Sequence, residues 1–186
     1  MKYYYLVASL PMLFLGRPPP FSMERFRGLC REQLVRADLA VLDALLDREG
    51  AGSDHPFLSA WREREVRLRN AVARARAART GREVAPYLRP AAGFDVYTEQ
   101  AVAEAFRRGT PLEREMDLDR WRWNVLEELA AGQPFSLAAV LAYALKLRLV
   151  ERWQTWSEEA GRARVEAWLR QPSVTESGVA AGAASA

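Results

Sequence analysis

Few residues of this chain belong to the types that carry out catalysis, and each of them stands alone. His55 directly follows Asp54, and a neighbouring carboxylate and imidazole would suit general acid–base chemistry. The same position, just before a predicted helix, is also typical of a solvated loop or a helix-start residue. Cys30 is the single cysteine. Its thiolate would be a nucleophile, but the apolar face of a predicted helix favours a buried and inert thiol.

Metal and cofactor sites require several such residues at a fixed spacing. One histidine, one cysteine and scattered carboxylates do not give the ligand spacing of a zinc site. The glycines are dispersed and do not form a phosphate-binding loop. An enzyme with a tryptophan-lined pocket would need carboxylates with perturbed pKa values in a cleft, which a sequence does not reveal. We therefore expect no catalytic residue, no metal and no cofactor, and we predict that the chain is not an enzyme.

Arginine is the residue type that does occur in a pattern, in the run from Trp61 to Gly81. Arg62, Arg69 and Arg76 repeat every seven residues along one side of a helix, which predicts a surface that faces solvent or a partner. Five more arginines widen this surface: Arg64, Arg67, Arg74, Arg79 and Arg82. An apolar stripe on another side of the same helix should be buried. The stripe consists of Leu58, Trp61, Leu68, Val72 and Ala75.

Glu65 and Trp123 depart from the patterns of their helices. Glu65 lies inside the apolar stripe, where an unpaired carboxylate would be strongly destabilising, so we expect an internal ion pair with an arginine. Trp121 with Trp123, and Trp153 with Trp156, could flank a ligand, although helical spacing favours core packing for all but Trp123. Trp123 lies off the inner face of its helix. We expect it to be an exposed anchor at a partner surface.

The composition of the 186 residues is that of a globular protein, with 49% hydrophobic residues and a net charge of +3. Of the 27 basic residues, only Lys2 and Lys146 are lysines. The planar guanidinium binds carboxylates and phosphates, so this bias favours acidic or nucleic-acid partners, although genomic base composition also enriches arginine. The modest net charge favours acidic residues on a neighbouring protein. An arginine-rich helical nucleic-acid-binding protein is the alternative.

The elements that must position these residues are helices. Periodic apolar residues predict helices that begin near Glu24, Arg36, Pro56, Phe94, Leu112 and Ser136. Neither the alternation of strands nor a βαβ rhythm is present, which predicts an all-α fold, an irregular helical bundle of about six helices. Tyr3 to Ser9 is compatible with a short N-terminal strand or with the first turns of a helix. We predict a single helical domain over residues 1–170 and a disordered tail over residues 171–186.

Two further features bear on location. Residues 1–16 contain a lysine followed by an apolar run, as signal peptides do, but tyrosines and a proline interrupt the run. No other stretch approaches the roughly eighteen apolar residues of a membrane span. A single cysteine excludes an internal disulfide and suits a reducing compartment. We therefore expect a cytoplasmic protein.

Three segments carry a resemblance to a known family. Residues 3–11 read YYYLVASLP, and Phe135 to Arg152 contain Ala142 and Tyr143 followed by a mixed basic stretch. Between them lies a helical run that closes on a glycine, with Leu68, Arg69, Asn70, Arg74, Ala75 and Gly81. In these segments the chain resembles an uncharacterised bacterial family encoded among V/A-type ATPase genes. That family is itself similar to the socket protein (the d subunit) of the rotary motor, a longer protein with acidic residues where this chain has Arg148 and Val150.

The resemblance implies a non-catalytic subunit or accessory protein that transmits torque through a stiff helical body. It would lie in the cytoplasm, peripheral to the inner face of the plasma membrane when assembled. Its partners would be the central-stalk and membrane-ring subunits, and no small-molecule substrate is expected. Under this hypothesis Arg62, Arg69, Arg76 and Trp123 are the expected partner contacts. Glu65 is the expected internal tether.

Overall fold

The computed structural model describes residues 2–48, 54–91, 93–154, 166, 167 and 170, and within them the chain is helical without strands. One 3₁₀ turn (Ala85–Tyr87) follows the fourth of seven α-helices. The helices are α1 (Tyr4–Ser9), α2 (Met23–Gln33), α3 (Arg36–Arg48), α4 (Pro56–Thr80), α5 (Val96–Arg107), α6 (Pro111–Ala130) and α7 (Leu137–Gln154). This confirms the predicted all-α fold. The predicted tail, residues 171–186, lies outside the described residues, as do Trp156 and Trp168.

Side-chain caps fix where several helices begin. The Ser22 side chain accepts a hydrogen bond from the Arg25 amide at the start of α2. At the start of α6, Thr110 and Glu113 form a reciprocal capping box. Gly81 ends α4 in the left-handed conformation, with φ of 63°. A side chain with a Cβ atom would be strained there, which explains why the long arginine helix stops at a glycine.

The N-terminal segment is a short helix, so the strand alternative for it is wrong. A strand satisfies its backbone groups through a neighbouring strand, and the described residues contain none. In α1 the Val7 amide instead donates to the Tyr3 carbonyl at 3.0 Å. The Tyr3 amide donates to the Phe135 carbonyl at 3.0 Å, and Leu6 is fully buried. These contacts attach the start of the chain to the connection between α6 and α7.

Two groups of buried apolar side chains form the core. The larger one joins α1, α2, α3 and α7 to the first part of α4 and the last part of α6, and its fully buried members include Leu6, Phe26, Leu42, Leu58, Leu126 and Leu141. The smaller one joins α5 to the rest of α4 and α6, with Leu68, Ala71, Val102, Ala105, Phe106 and Leu118. Trp121 packs against both groups. No helix in the described part of the chain is long and apolar enough to cross a bilayer.

The apolar stripe of α4 is buried as predicted over its first three members. Leu58 and Leu68 are fully buried, and Trp61 is 9% exposed. Val72 and Ala75 are half-buried against the smaller core group. One side of α4 is therefore fixed against the core, and the direction of its arginine side chains follows from that.

Candidate partner-binding cleft

A cleft of about 420 Å³ lies between α4 and α7. Both helices pack on α6, which leaves a groove between them. Residues Trp61 to Arg69 of α4 and Leu145 to Arg152 of α7 supply most of its lining, and α6, α3 and the connection after α4 supply one residue each. The groove is therefore a product of helix packing, and all of its lining residues except Arg89 lie on helices.

Arginine dominates the lining of this cleft. Glu65 is the only acidic residue among the lining side chains. Against it stand six guanidinium groups, those of Arg62, Arg69, Arg89, Arg122, Arg148 and Arg152. Such an excess of one sign of charge in a concave site attracts anions. We call this site the arginine cleft.

An ion pair between α4 and α6 forms the floor of the arginine cleft. The Arg122 Nε donates to Glu65 Oε1 at 2.8 Å, and Arg122 Nη1 donates to Asp119 Oδ1 at 2.9 Å. Burial lowers the pKa of Arg122, but the charges and hydrogen bonds of Glu65 and Asp119 outweigh it and leave that pKa raised. Arg122 is therefore a fixed cation with two carboxylates. The expected arginine partner of Glu65 is present in the structure, and it comes from α6.

Asp119 extends this network to α7. Its carboxylate is fully buried and accepts hydrogen bonds from Arg152 Nη2 and, at 2.8 Å, from Trp153 Nε1. Glu65, Arg122, Asp119 and Arg152 thus form a continuous chain of charges from α4 through α6 to α7. A continuous buried network of this kind fixes the relative positions of the three helices that surround the cleft.

Two wall arginines donate hydrogen bonds to backbone carbonyls. Arg62 Nε donates to the Leu58 carbonyl at 3.2 Å, and Arg148 Nη2 donates to the Leu46 carbonyl at 2.9 Å. A carbonyl oxygen orients a guanidinium through its lone pairs. These hydrogen bonds therefore help to position Arg62 and Arg148 in the cleft wall.

Asn70 places Arg89 at the cleft. The Asn70 side chain is 7% exposed and makes two hydrogen bonds with the Arg89 backbone. Asn70 Nδ2 donates to the Arg89 carbonyl at 2.8 Å, and the Arg89 amide donates to Asn70 Oδ1 at 2.9 Å. This two-way contact ties the connection between α4 and α5 to the side of α4.

Three arginines of α4 outside the cleft are paired with carboxylates of the chain. Arg64 lies 3.2 Å from Asp95, Arg67 lies 2.5 Å from Glu63, and Arg74 contacts Glu99. The sequence predicted one broad arginine surface, but the structure divides it. Six arginines gather at the arginine cleft, where Glu65 and Asp119 pair with three of them.

The four residues that were expected to contact a partner do not lie on one common surface. Arg62 and Arg69 line the arginine cleft. Arg76 is exposed on α4 but is not one of the lining residues. The expectation of an exposed Trp123 is wrong, because its ring is half-buried against the larger core group. Lys146 Nζ lies 4.6 Å from the ring centroid, and the indole Nε1 donates to Glu127 at 3.1 Å.

His55 and Cys30, whose side chains are of types that can be catalytic, occupy positions that support the fold. His55 is the N-cap of α4, where its Nδ1 accepts from the Phe57 amide at 3.3 Å. Cys30 is fully buried, and burial raises the pKa of its thiol to about 12. Within the described residues, no group of three or more His, Cys, Asp or Glu side chains could hold a metal ion.

Four residues of the cleft or its floor were not predicted as site residues, although the sequence contains a signal for them: Asp119, Arg122, Arg148 and Arg152. Asp119, Arg122 and the buried Leu126 are spaced three and four residues apart and share one face of α6. This spacing places a charged pair on the buried face of the helix. On α7, Leu141 and Leu145 continue in register with Arg148 and Arg152. An apolar stripe that turns into arginines along one face indicates a change from core to cleft.

Comparison with known proteins gives one match. Residues 95–168 match a family model described as "Protein of unknown function (DUF2764)". The matched segment includes α5, α6 and α7, and so contains Asp119, Arg122, Arg148 and Arg152. It is less than half of the chain, and Arg62, Glu65, Arg69 and Arg89 lie outside it. Neither a curated protein nor a solved structure was found to match.

Proposed function

We propose that this protein is a non-catalytic subunit or accessory protein of a bacterial V/A-type ATPase, and that it binds motor subunits through the arginine cleft. It would lie in the cytoplasm at the inner face of the membrane and join the central stalk to the membrane ring. The identity of the motor comes from the resemblance of residues 3–11, 68–81 and 135–152. The mode of binding comes from the geometry of the cleft.

The observation that carries the binding role is the unbalanced charge of the cleft. Six arginines surround the cleft against two carboxylates, those of Glu65 in the lining and Asp119 beneath it. These two carboxylates pair with Arg69, Arg122 and Arg152 and leave an excess of arginine over acid among the cleft residues. Concentrated charge on a rigid surface accelerates association with an oppositely charged partner and sets the orientation of the complex. The ion network between α4, α6 and α7 supplies the stiffness that transmission of torque requires.

The experiment is purification of the tagged chain from detergent-solubilised membranes of the native bacterium, with co-purified proteins identified by mass spectrometry. We expect central-stalk and membrane-ring subunits of the ATPase with the wild-type chain. The double variant Arg62→Gln, Arg69→Gln should lose them. Arg76→Gln is the matched control, because it lies in the same row of α4 but outside the cleft.

Far-UV circular dichroism of each variant separates loss of binding from loss of the fold. Recovery of the wild-type chain without any ATPase subunit, from cells that contain the motor, would refute the proposal. If Arg76→Gln and the double variant lose the ATPase subunits equally, the contact lies outside the cleft.

A further inference from the structure

The side chains of the arginine cleft define the chemistry of what it can bind. We propose that the arginine cleft binds an acidic, amphipathic protein segment, whose carboxylates pair with Arg62, Arg69, Arg148 and Arg152 and whose apolar side chains lie between α4 and α7. This inference deepens the proposed function and rests on it, since it states what kind of surface a motor protein must present. It does not depend on which motor protein that is.

The positions of the charges favour carboxylates spread along a chain over one compact anion. Arg62 and Arg69 are seven residues apart on α4, which is about 10 Å along the helix axis. Arg148 and Arg152 are four residues apart on α7, about 6 Å. A helix that carries glutamates at intervals of three, four and seven residues repeats these separations. A single phosphate group would engage only some of these arginines.

The surface between the arginines is apolar. Val66 of α4 and Leu149 of α7 are half-buried in the cleft wall, above the buried Trp61 and Leu145. Apolar side chains of a partner segment would remove this surface from water, at roughly 25 cal/mol per Å². A highly hydrated polyphosphate would gain nothing from it. This mixture of guanidinium and apolar groups is typical of protein interfaces, in which arginine and aromatic residues are enriched.

The surrounding hydrogen bonds prepare the arginines for carboxylates. The planar guanidinium binds a carboxylate through two parallel hydrogen bonds. Arg62 and Arg148 are oriented by carbonyl groups, and Arg152 by the fully buried Asp119. Less side-chain entropy is lost when groups that are already positioned bind a partner. The cleft is lined by residues beyond the first turns of its helices, so helix N-terminal amides, which favour phosphate, do not contribute.

The test uses the full chain and a designed probe. The probe is a fluorescein-labelled helical peptide of about fifteen residues, with leucine at every third or fourth position and glutamate at the positions beside them. A second peptide has glutamine in place of every glutamate. Fluorescence anisotropy at low salt should give binding of the glutamate peptide that is at least about tenfold tighter than that of the glutamine peptide.

Variants locate the site. Arg62→Gln and Arg148→Gln together should weaken binding of the glutamate peptide by about tenfold or more, and Arg76→Gln should change it by less than about twofold. An increase of salt from about 50 mM to about 500 mM should also weaken it, because the contacts are partly exposed. Equal binding of the two peptides, no binding, or equal effects of the variants would overturn the proposal.

Two competing occupants are outcomes of the same assay. Inorganic triphosphate or a duplex DNA that binds more tightly than the glutamate peptide, with the same dependence on Arg62 and Arg148, would assign the cleft to phosphates and overturn the proposal. Self-association of the chain, lost in the Arg62→Gln, Arg148→Gln variant by light scattering, would assign it to a second copy and would also overturn it. The peptide assay contains no motor protein. Its failure is therefore distinguishable from failure of the ATPase proposal, which rests on co-purification.

Discussion

Arg122 Nε of α6 lies 2.8 Å from Glu65 Oε1 of α4, beneath the arginine cleft. The side chains of both residues are largely buried, with 16% and 12% exposed. Glu65 interrupts an otherwise apolar stripe of α4, and Arg122 lies on the inward-facing side of α6. Each residue would be unfavourable in its position alone, since burial of an unpaired charge is costly. The pair therefore links the folding of α4 to that of α6.

Removal of one partner should destabilise the chain. Glu65→Gln leaves Arg122 with Asp119 as its remaining carboxylate, and we expect a loss of about 2 kcal/mol in the free energy of unfolding. Urea unfolding followed by far-UV circular dichroism measures it. Glu63→Gln is the control, because the pair of Glu63 with Arg67 is more exposed, and its loss should stay below about 0.5 kcal/mol. If the two variants unfold at the same urea concentration, Glu65 is not a tether.

Asn70 should hold the connection that carries Arg89. Asn70→Ala removes both hydrogen bonds to the Arg89 backbone, and we expect a loss of about 1–2 kcal/mol. The Arg89 amide should also exchange its hydrogen faster, which is the more specific measurement. Asn70→Asp keeps the acceptor for the Arg89 amide and should leave its exchange partly protected. Exposed Asn124→Ala is the control, and unchanged exchange at Arg89 in Asn70→Ala would contradict the role.

The fold could be predicted from the sequence because its helices obey local rules. Apolar periodicity and residues such as Ser22 and Gly81 specify the helices and their ends without knowledge of the tertiary structure. The short segment before Pro11 was ambiguous, because periodicity does not distinguish a short helix from a strand. Its conformation depends on Phe135, to which Tyr3 is hydrogen-bonded. Such distant contacts are not local information.

The candidate site was predicted only in part, for a related reason. The arginine repeat on α4 contains two residues that line the cleft, Arg62 and Arg69, and a third, Arg76, that does not. The opposite wall comes from α7, more than seventy residues later, and a repeat on one helix does not contain that pairing. Trp123 was misplaced because its position off the inner face suggested exposure. Lys146 of α7 covers its ring, and this neighbour is known only from the packing of α6 on α7.

Asp95 should make stability depend on pH in the acid range. Burial raises the pKa of its carboxyl, but hydrogen bonds from Thr98 and Tyr97 and the charge of Arg64 outweigh burial, so the pKa lies below the ordinary aspartate value. A carboxyl with a depressed pKa in the folded state stabilises the fold fully above its unfolded pKa of about 3.9. That contribution is lost as the pH falls through the folded-state value.

Asp95→Asn tests this dependence, since asparagine is also a good N-cap but has no charge for Arg64. We expect the variant to be about 1 kcal/mol less stable than the wild type at pH 7, and the difference to shrink as the pH is lowered toward 2. Urea unfolding at several pH values measures both. A difference that stays constant with pH would show that the charge of Asp95 does not contribute.

Cys30 should report the opening of the whole core. Its side chain is fully buried, and burial, with a smaller contribution from the charge of Asp43, raises the pKa of the thiol to about 12. At pH 8 the folded chain should therefore react with a thiol reagent about a thousandfold more slowly than the chain in guanidinium chloride, because reaction requires exposure of the thiol and loss of its proton. Since Cys30 is the only cysteine, every labelled molecule reports this one site.

If labelling proceeds through global opening, Glu65→Gln should accelerate the labelling of Cys30 by the factor that corresponds to its loss of stability, while Glu63→Gln leaves the rate unchanged. Fast labelling of the native wild-type chain would contradict the burial of Cys30 between α2 and the rest of the larger core group.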